Sequence, residues 1–111
     1  MSYTLHITRK AEEDLNAAAD YIEFTLLNPQ AADALLDRAE ETLGSLAEMP
    51  QIHGFVDDPF LIALGIRFVL VNNYMAFFLI DEEQRIVYIV RFLYGKRNWV
   101  QILKDEPISF L

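Results

Sequence analysis

The chain has 111 residues, no cysteine, and seventeen acids against nine bases, giving a formal net charge of −8. That length sets one domain over residues 1–111; the missing thiols exclude disulfides, thiol nucleophiles and thiolate metal sites; and the acidity argues against an extended nucleic-acid-binding surface. The first residues lack the apolar stretch of a signal peptide, and no apolar run reaches the roughly 20 residues of a membrane span, so the composition points to a soluble cytoplasmic protein without membrane association.

Tyr3 to Ile7 alternates and is rich in strand formers, which predicts a first strand. Thr8 is placed to cap a helix, with Glu12 and Glu13 near its positive end. Ala11, Leu15, Ala18, Ile22 and Leu26 recur at helical spacing and predict a helix from about Arg9 to Leu26. Asn28-Pro29 then ends one helix and opens another, because Asn caps well and Pro is accepted at the first helical position. The second helix would bury Ala32, Leu35, Leu36, Ala39, Leu43 and Leu46 and stop before Pro50. So short a link makes the two helices an antiparallel hairpin.

Met49 to Leu64 carries Pro50, Gly54 and Pro59 without a regular period, and reads as the longest loop. Three strands follow: Ile66 to Val71, Tyr74 to Ile80 and Arg85 to Leu93. Asn72-Asn73 suits the first turn between them, since Asn tolerates positive φ. Gly95 breaks the last strand, and Asn98 to Leu103 forms a short helix at most before Pro107. The fold class is α+β: an N-terminal strand, a helix hairpin packed on a largely antiparallel four-stranded sheet, and a short C-terminal helix.

Charge is divided unevenly along this frame. Arg67, Arg85, Arg91, Lys96, Arg97 and Lys104 all follow residue 66, whereas acids crowd into Glu12 to Asp57. His6, inside the first strand, and His53, in the long loop, are too far apart for metal-ligand spacing. Asp57-Asp58 and Asp81-Glu82-Glu83 read as loop and turn acids, with nothing to orient them as an acid–base couple. No metal and no cofactor is expected.

The strands are apolar on both sides. Met75, Phe77 and Leu79 oppose Tyr74, Ala76, Phe78 and Ile80; Ile86, Tyr88, Val90 and Phe92 oppose Val87, Ile89, Arg91 and Leu93. A helix hairpin covers one face only. The other must be covered by the C-terminal segment through Ile108, Phe110 and Leu111 or by another chain, and exposed apolar area on this scale favours another chain.

The ordered set of Arg67 opening a strand, Asn73-Tyr74 starting the next, Asp81, and Ile89-Val90-Arg91-Phe92-Leu93-Tyr94-Gly95-Lys96-Arg97-Asn98-Trp99 resembles the RelE/ParE superfamily of type II toxin–antitoxin toxins, the plasmid stabilisation proteins. The Asn28-Pro29-Gln30-Ala31-Ala32 junction is similar to that of the ParE branch. The resemblance spans nearly the whole chain. It implies a toxin neutralised by a cognate antitoxin that covers apolar surface, for which Phe77, Leu79, Ile89 and Leu93 are the candidate contacts.

Two targets follow from the resemblance. RelE-like members cut mRNA on the ribosome with an arginine and lysine patch and a C-terminal tyrosine or histidine; here that set would be Arg67, Arg91, Arg97 and Tyr94. ParE-like members lack the active set and inhibit DNA gyrase; here Arg91, Tyr94, Lys96, Arg97 and Trp99 would contact the target, without direct DNA binding by the toxin. After Arg97 the chain departs from the nuclease pattern. Trp99 is the one aromatic of the closing helix, and an indole cannot transfer protons near neutral pH. Tyr94 precedes the glycine instead of following it, and the overall acidity opposes docking on ribosomal RNA. The gyrase reading is therefore preferred, with no firm catalytic residue. The alternatives are the ribosome-dependent endonuclease and a non-toxic interaction or regulatory module of the same fold. Arg67 and Arg91 can equally satisfy loop carbonyls or pair with helix acids.

Overall fold

The computed structural model describes residues 2–111. In chain order these form β1 (Thr4–Ile7), α1 (Arg9–Asp20), a π-helical turn (Tyr21–Thr25), α2 (Pro29–Ser45), a 3-10 turn (Pro50–Ile52), α3 (Pro59–Ala63), β2 (Arg67–Val71), β3 (Tyr74–Asp81), β4 (Ile86–Tyr94) and α4 (Trp99–Asp105). The sheet has the order β1-β4-β3-β2. The meander β2–β3–β4 is antiparallel, while β1 pairs parallel to β4, so the sheet is mixed.

The caps follow the sequence closely. The Thr8 hydroxyl accepts from the Ala11 N–H at 3.2 Å and the Asn28 side chain from Ala31 N–H at 3.1 Å. The first helix, however, does not continue as an α-helix to Leu26. The aromatic and β-branched run Tyr21-Ile22-Glu23-Phe24-Thr25 is a weak helix former, and it widens into a π turn closed by Leu26 N–H to Tyr21 C=O at 3.0 Å. Leu27 then turns the chain with a left-handed φ of 54°.

The hairpin α1–α2 covers one face of the sheet. That core holds Leu35, Ala39 and Leu43 of α2, and Leu46 just after it, against Val69, Val71, Ala76, Phe78, Val87, Ile89 and Phe92. The second face is covered by the chain itself. Val56, Leu61, Leu103, Trp99, Ile102 and Ile108 pack on Ile66, Met75, Phe77, Val90 and Leu93. Of the two covers expected, the C-terminal segment, joined by Val56 and Leu61, lies on this face, and the favoured alternative of another chain is corrected. The missed element is α3, inside the stretch read as loop: Asp58 caps it by accepting from Leu61 N–H at 3.0 Å, and Leu61 is fully buried. The Asp58 carboxylate also meets Lys104 Nζ of α4 at 3.1 Å, tying the two short helices together.

A second correction concerns the faces of β4. A bulge sets Phe77 opposite Arg91 but Phe78 opposite Ile89, leaving Val90 as the extra residue. Alternation therefore slips by one. Phe92 joins Val87 and Ile89 under the helices, and Leu93 joins Tyr88 and Val90 on the other face.

Candidate functional site

The bulge sets the position of Arg91. Its guanidinium lies beside α1, where Nε donates to Asp14 Oδ2 at 2.7 Å and Nη2 to Asp14 Oδ1 at 3.3 Å. The same Oδ2 accepts from the Phe92 N–H at 3.0 Å, so one carboxylate satisfies both the arginine and a strand amide. Nη1 reaches Glu106 at 3.2 Å. Arg91 is only 7% exposed. Burial works against its charge, but hydrogen bonding and attraction from Asp14, and then from Glu106, outweigh burial and hold the guanidinium above its ordinary pKa.

Arg67 is engaged differently. Its Nη1 donates to the His53 carbonyl at 2.6 Å, and the guanidinium lies 4.1 Å from the Phe55 ring centre. It anchors the segment before α3 to the edge of β2, where Phe55 bridges Arg67. The His53 ring meets Phe78 edge-on at 6.1 Å and the His6 ring meets Tyr88 at 5.5 Å, so both histidines pack as aromatic rings. Among the described residues no cluster of His, Asp or Glu is arranged to hold a metal ion, and no helix is long and apolar enough to cross a membrane.

The end of β4 is the cationic part that stays open. Gly95 N–H donates to the Asn73 carbonyl at 2.8 Å, and a Cβ on Gly95 would stand 3.1 Å from that oxygen, close enough that the turn would have to give by a few tenths of an ångström. Arg97 N–H then closes a turn on Tyr94 C=O at 3.0 Å, and Asn98 caps α4 through Gln101 N–H at 3.3 Å. Lys96 and Arg97 are thereby held on an exposed turn. Trp99 points back into the second core, with its ring 5.4 Å from that of Phe77.

Next to this turn is a cleft of about 330 Å³ lined by Tyr21, Tyr74, Phe92, Tyr94 and Arg97, with Asp14 on its wall. Tyr74 stacks on Phe92 at 5.1 Å and meets Tyr94 edge-on at 5.5 Å. Burial, and then the neighbouring Tyr94 and Tyr21, push the Tyr74 hydroxyl above its ordinary pKa, so it stays a protonated donor. Of the residues lining it, Tyr94 and Arg97 are candidates named from the sequence, and Tyr21 and Tyr74 are not. The signal for them was the aromatic content of the π turn and of the first residue of β3.

The expected residues thus separate. Tyr94, Lys96 and Arg97 come together on one rim. Arg91, Arg67 and Trp99 are held inside contacts of their own. Of the four expected antitoxin contacts, Phe77, Ile89 and Leu93 are at most 2% exposed and Ile89 lies under the helices, so as folded they offer a partner no surface. Leu79 alone borders open space, a cleft of about 620 Å³ flanked by Tyr88 and Phe110.

The comparisons agree with this architecture. Residues 5–99 match the family described as the ParE toxin of the type II toxin–antitoxin system parDE. A chain of the chromosomal ParDE system from P. aeruginosa superposes with a TM-score of 0.69 at 21% identity, over 86% of this chain and 98% of that one. A chain of a RelBE toxin–antitoxin complex from Mycobacterium tuberculosis gives 0.58 at 22% identity, over 85% and 99%. An arginine-substituted mutant of E. coli toxin RelE in the free state gives 0.59 at 13% identity, over 92% and 93%. At these identities the three show the fold. No curated protein sequence matches. With 95 consecutive residues inside the family match, the chain belongs to the ParE toxin family of type II toxin–antitoxin systems.

Proposed function

We propose that this chain is a toxin that acts in the cytoplasm by binding DNA gyrase rather than by cleaving RNA, and that a cognate antitoxin neutralises it. One observation carries the choice between binding and cleavage. Arg91, which a nuclease would need for charge developing on the phosphate, is buried and held by Asp14 at 2.7 Å. Arg67 faces loop carbonyls. That leaves Arg97 and Tyr94 of the nuclease set on the open rim, and two groups on an acidic protein make a weak phosphate site.

A binding surface needs less. Aromatic side chains and arginine are favoured interface anchors, and the rim of Tyr94, Lys96 and Arg97 beside the Tyr21–Tyr74 cleft supplies both. The test is inhibition of gyrase supercoiling by the purified protein, with cleavage of mRNA on programmed ribosomes in parallel. The wild type should block supercoiling and leave mRNA intact. Arg97→Ala should weaken the block by about tenfold without changing the melting temperature. Cut mRNA with undisturbed supercoiling would overturn the proposal, and inactivity in both assays would favour a non-toxic interaction module.

A further inference from the structure

The cleft beside Tyr94 and Arg97 is lined by two ionised groups of unequal standing, Asp14 and Arg97. Asp14 is engaged inside the protein: both of its oxygens accept from Arg91, and Oδ2 also accepts from the Phe92 N–H. Arg97 and its neighbour Lys96 are exposed and make no ion pair among the described residues. On a chain of net charge −8, uncompensated positive charge is therefore left at the mouth of an apolar cleft.

The walls are aromatic. Tyr74 and Phe92 stack with 13° between their ring planes, and Tyr94 stands edge-on to Tyr74. Tyr21 lines the end towards the π turn, and Ala17 and Ala18 of α1 supply the remaining wall, where their small side chains leave the space open. Among the described residues no protein group pairs with the hydroxyls of Tyr21, Tyr74 or Tyr94. The π turn that carries Tyr21 also exposes Phe24, and Leu26 and Leu27 follow it, exposed by 55% and 80%. Exposed apolar groups gathered in this way mark an interaction site, and π turns are frequent at functional sites.

We infer that this cleft is a socket for one aromatic side chain of the target protein, and that a carboxylate next to that side chain pairs with Arg97 and Lys96 and accepts from the tyrosine hydroxyls. The inference rests on the target binding proposed above and names the chemistry of the segment that is bound. An incoming ring can meet Tyr74, Phe92 and Tyr94 in the offset and edge-on contacts that aromatic rings favour, and a side chain seated in a desolvated pocket is the usual energetic centre of an interface. The unpaired cations then select an acidic neighbour and repel a basic segment. A nucleobase could stack on the same rings, but its strand of phosphates would meet two cations on a molecule of charge −8, so a protein segment with one or two carboxylates is the better match.

The test uses the full-length protein and intact gyrase. Ala17→Phe fills the socket from the exposed face of α1 without removing a contact, and Arg97→Glu reverses the charge at its mouth. Each should weaken inhibition of supercoiling by about tenfold or more at an unchanged melting temperature. A photo-crosslinking benzophenone carried by a phenylalanine in place of Tyr94 should attach to a gyrase peptide in which an aromatic residue adjoins Asp or Glu. If the wild type leaves gyrase active, the target reading fails and this inference with it. If the wild type inhibits and both variants inhibit equally well, or if the crosslinked peptide is basic, the socket alone is overturned. If Ala17→Phe spares gyrase inhibition but abolishes binding of the antitoxin, or if the free protein is a dimer with Tyr94 buried between copies, another occupant holds the cleft and the proposal is wrong.

Discussion

Removing the Asp14 carboxylate tests whether Arg91 is a structural cation. Both side chains are nearly out of water, with 11% and 9% of their side-chain surface exposed. Asp14→Ala leaves the guanidinium with half-exposed Glu106 as its ionic partner and strips the acceptor from Phe92 N–H. Breaking a buried ion pair from one side costs about 3–5 kcal/mol, and orphaning a buried amide about 1–3 kcal/mol. The two overlap, so we expect a loss of about 4–5 kcal/mol, a large share of the stability of a domain this size. Arg91→Met should cost less, because Asp14 keeps the Phe92 amide. The double variant Asp14→Ala/Arg91→Met should lose less than the sum of Asp14→Ala and Arg91→Met, since no buried charge is left unpaired. Glu106→Gln, at the solvent side, should cost under about 0.5 kcal/mol. Urea unfolding of the five proteins gives all the values. A loss under about 1 kcal/mol for Asp14→Ala, or a double variant equal to the sum of its singles, would refute the structural role.

Two further changes probe local features. Leu27 sits at φ 54°, which costs a residue with a Cβ about 1–2 kcal/mol; Leu27→Gly should therefore raise stability by roughly 0.5–1 kcal/mol after the entropy penalty of glycine, read as a higher melting temperature. The bond from Leu61 N–H, opposed by partial burial and reinforced by Lys104, lowers the Asp58 carboxyl pKa below 3.8. Its folded-state pKa lies below the unfolded one, so its stabilisation is present above pH 3.8 and is lost as pH falls through the lower folded value. Trp99 fluorescence on titration from about pH 5 to about pH 2 should report loosening of α4, and Asp58→Asn should flatten that response.

Most of the frame was legible because it depends on local chemistry. Thr8 and Asn28 cap the helices they were expected to cap, and Asn72 takes the left-handed turn position at φ 53°. What failed was non-local. α3 is five residues long, too short for a period, and only Asp58-Pro59 with Leu61 announces it. The bulge at Val90 has no residue signature, because an apolar run looks the same in either register. It nevertheless moves Phe92 to one core and Leu93 to the other. Of the expected antitoxin contacts, Phe77 and Leu93 are buried in the second core and Ile89 in the first: two apolar faces were legible, but not that Leu61, Trp99 and Leu103 fill the second one. Of the candidate site, Tyr94, Lys96 and Arg97 are neighbours in sequence and could be named together, whereas Tyr21 and Tyr74 reach the cleft beside them only through the folding of the hairpin and the β3–β4 pairing.

The arginines show why a residue type does not state its role. In sequence Arg67, Arg91 and Arg97 are one cationic set. In the fold they are a loop anchor, a buried clamp and a free charge, and what separates them is the nearest acceptor. Arg91 meets a carboxylate because Asp14 stands on the turn of α1 that crosses β4 beside the bulge, and because that carboxylate is also needed by the bulged strand's amide. Arg67 meets carbonyls because the segment before α3 has no strand to pair with except the edge of β2. Arg97 meets neither, because the turn closed by Gly95 and Tyr94 lifts it off the sheet. A phosphate site would have to break the first two arrangements before using them, at a cost close to the loss expected for Asp14→Ala. A protein surface needs only the third, already in place on a turn fixed by Gly95 and the cap of α4.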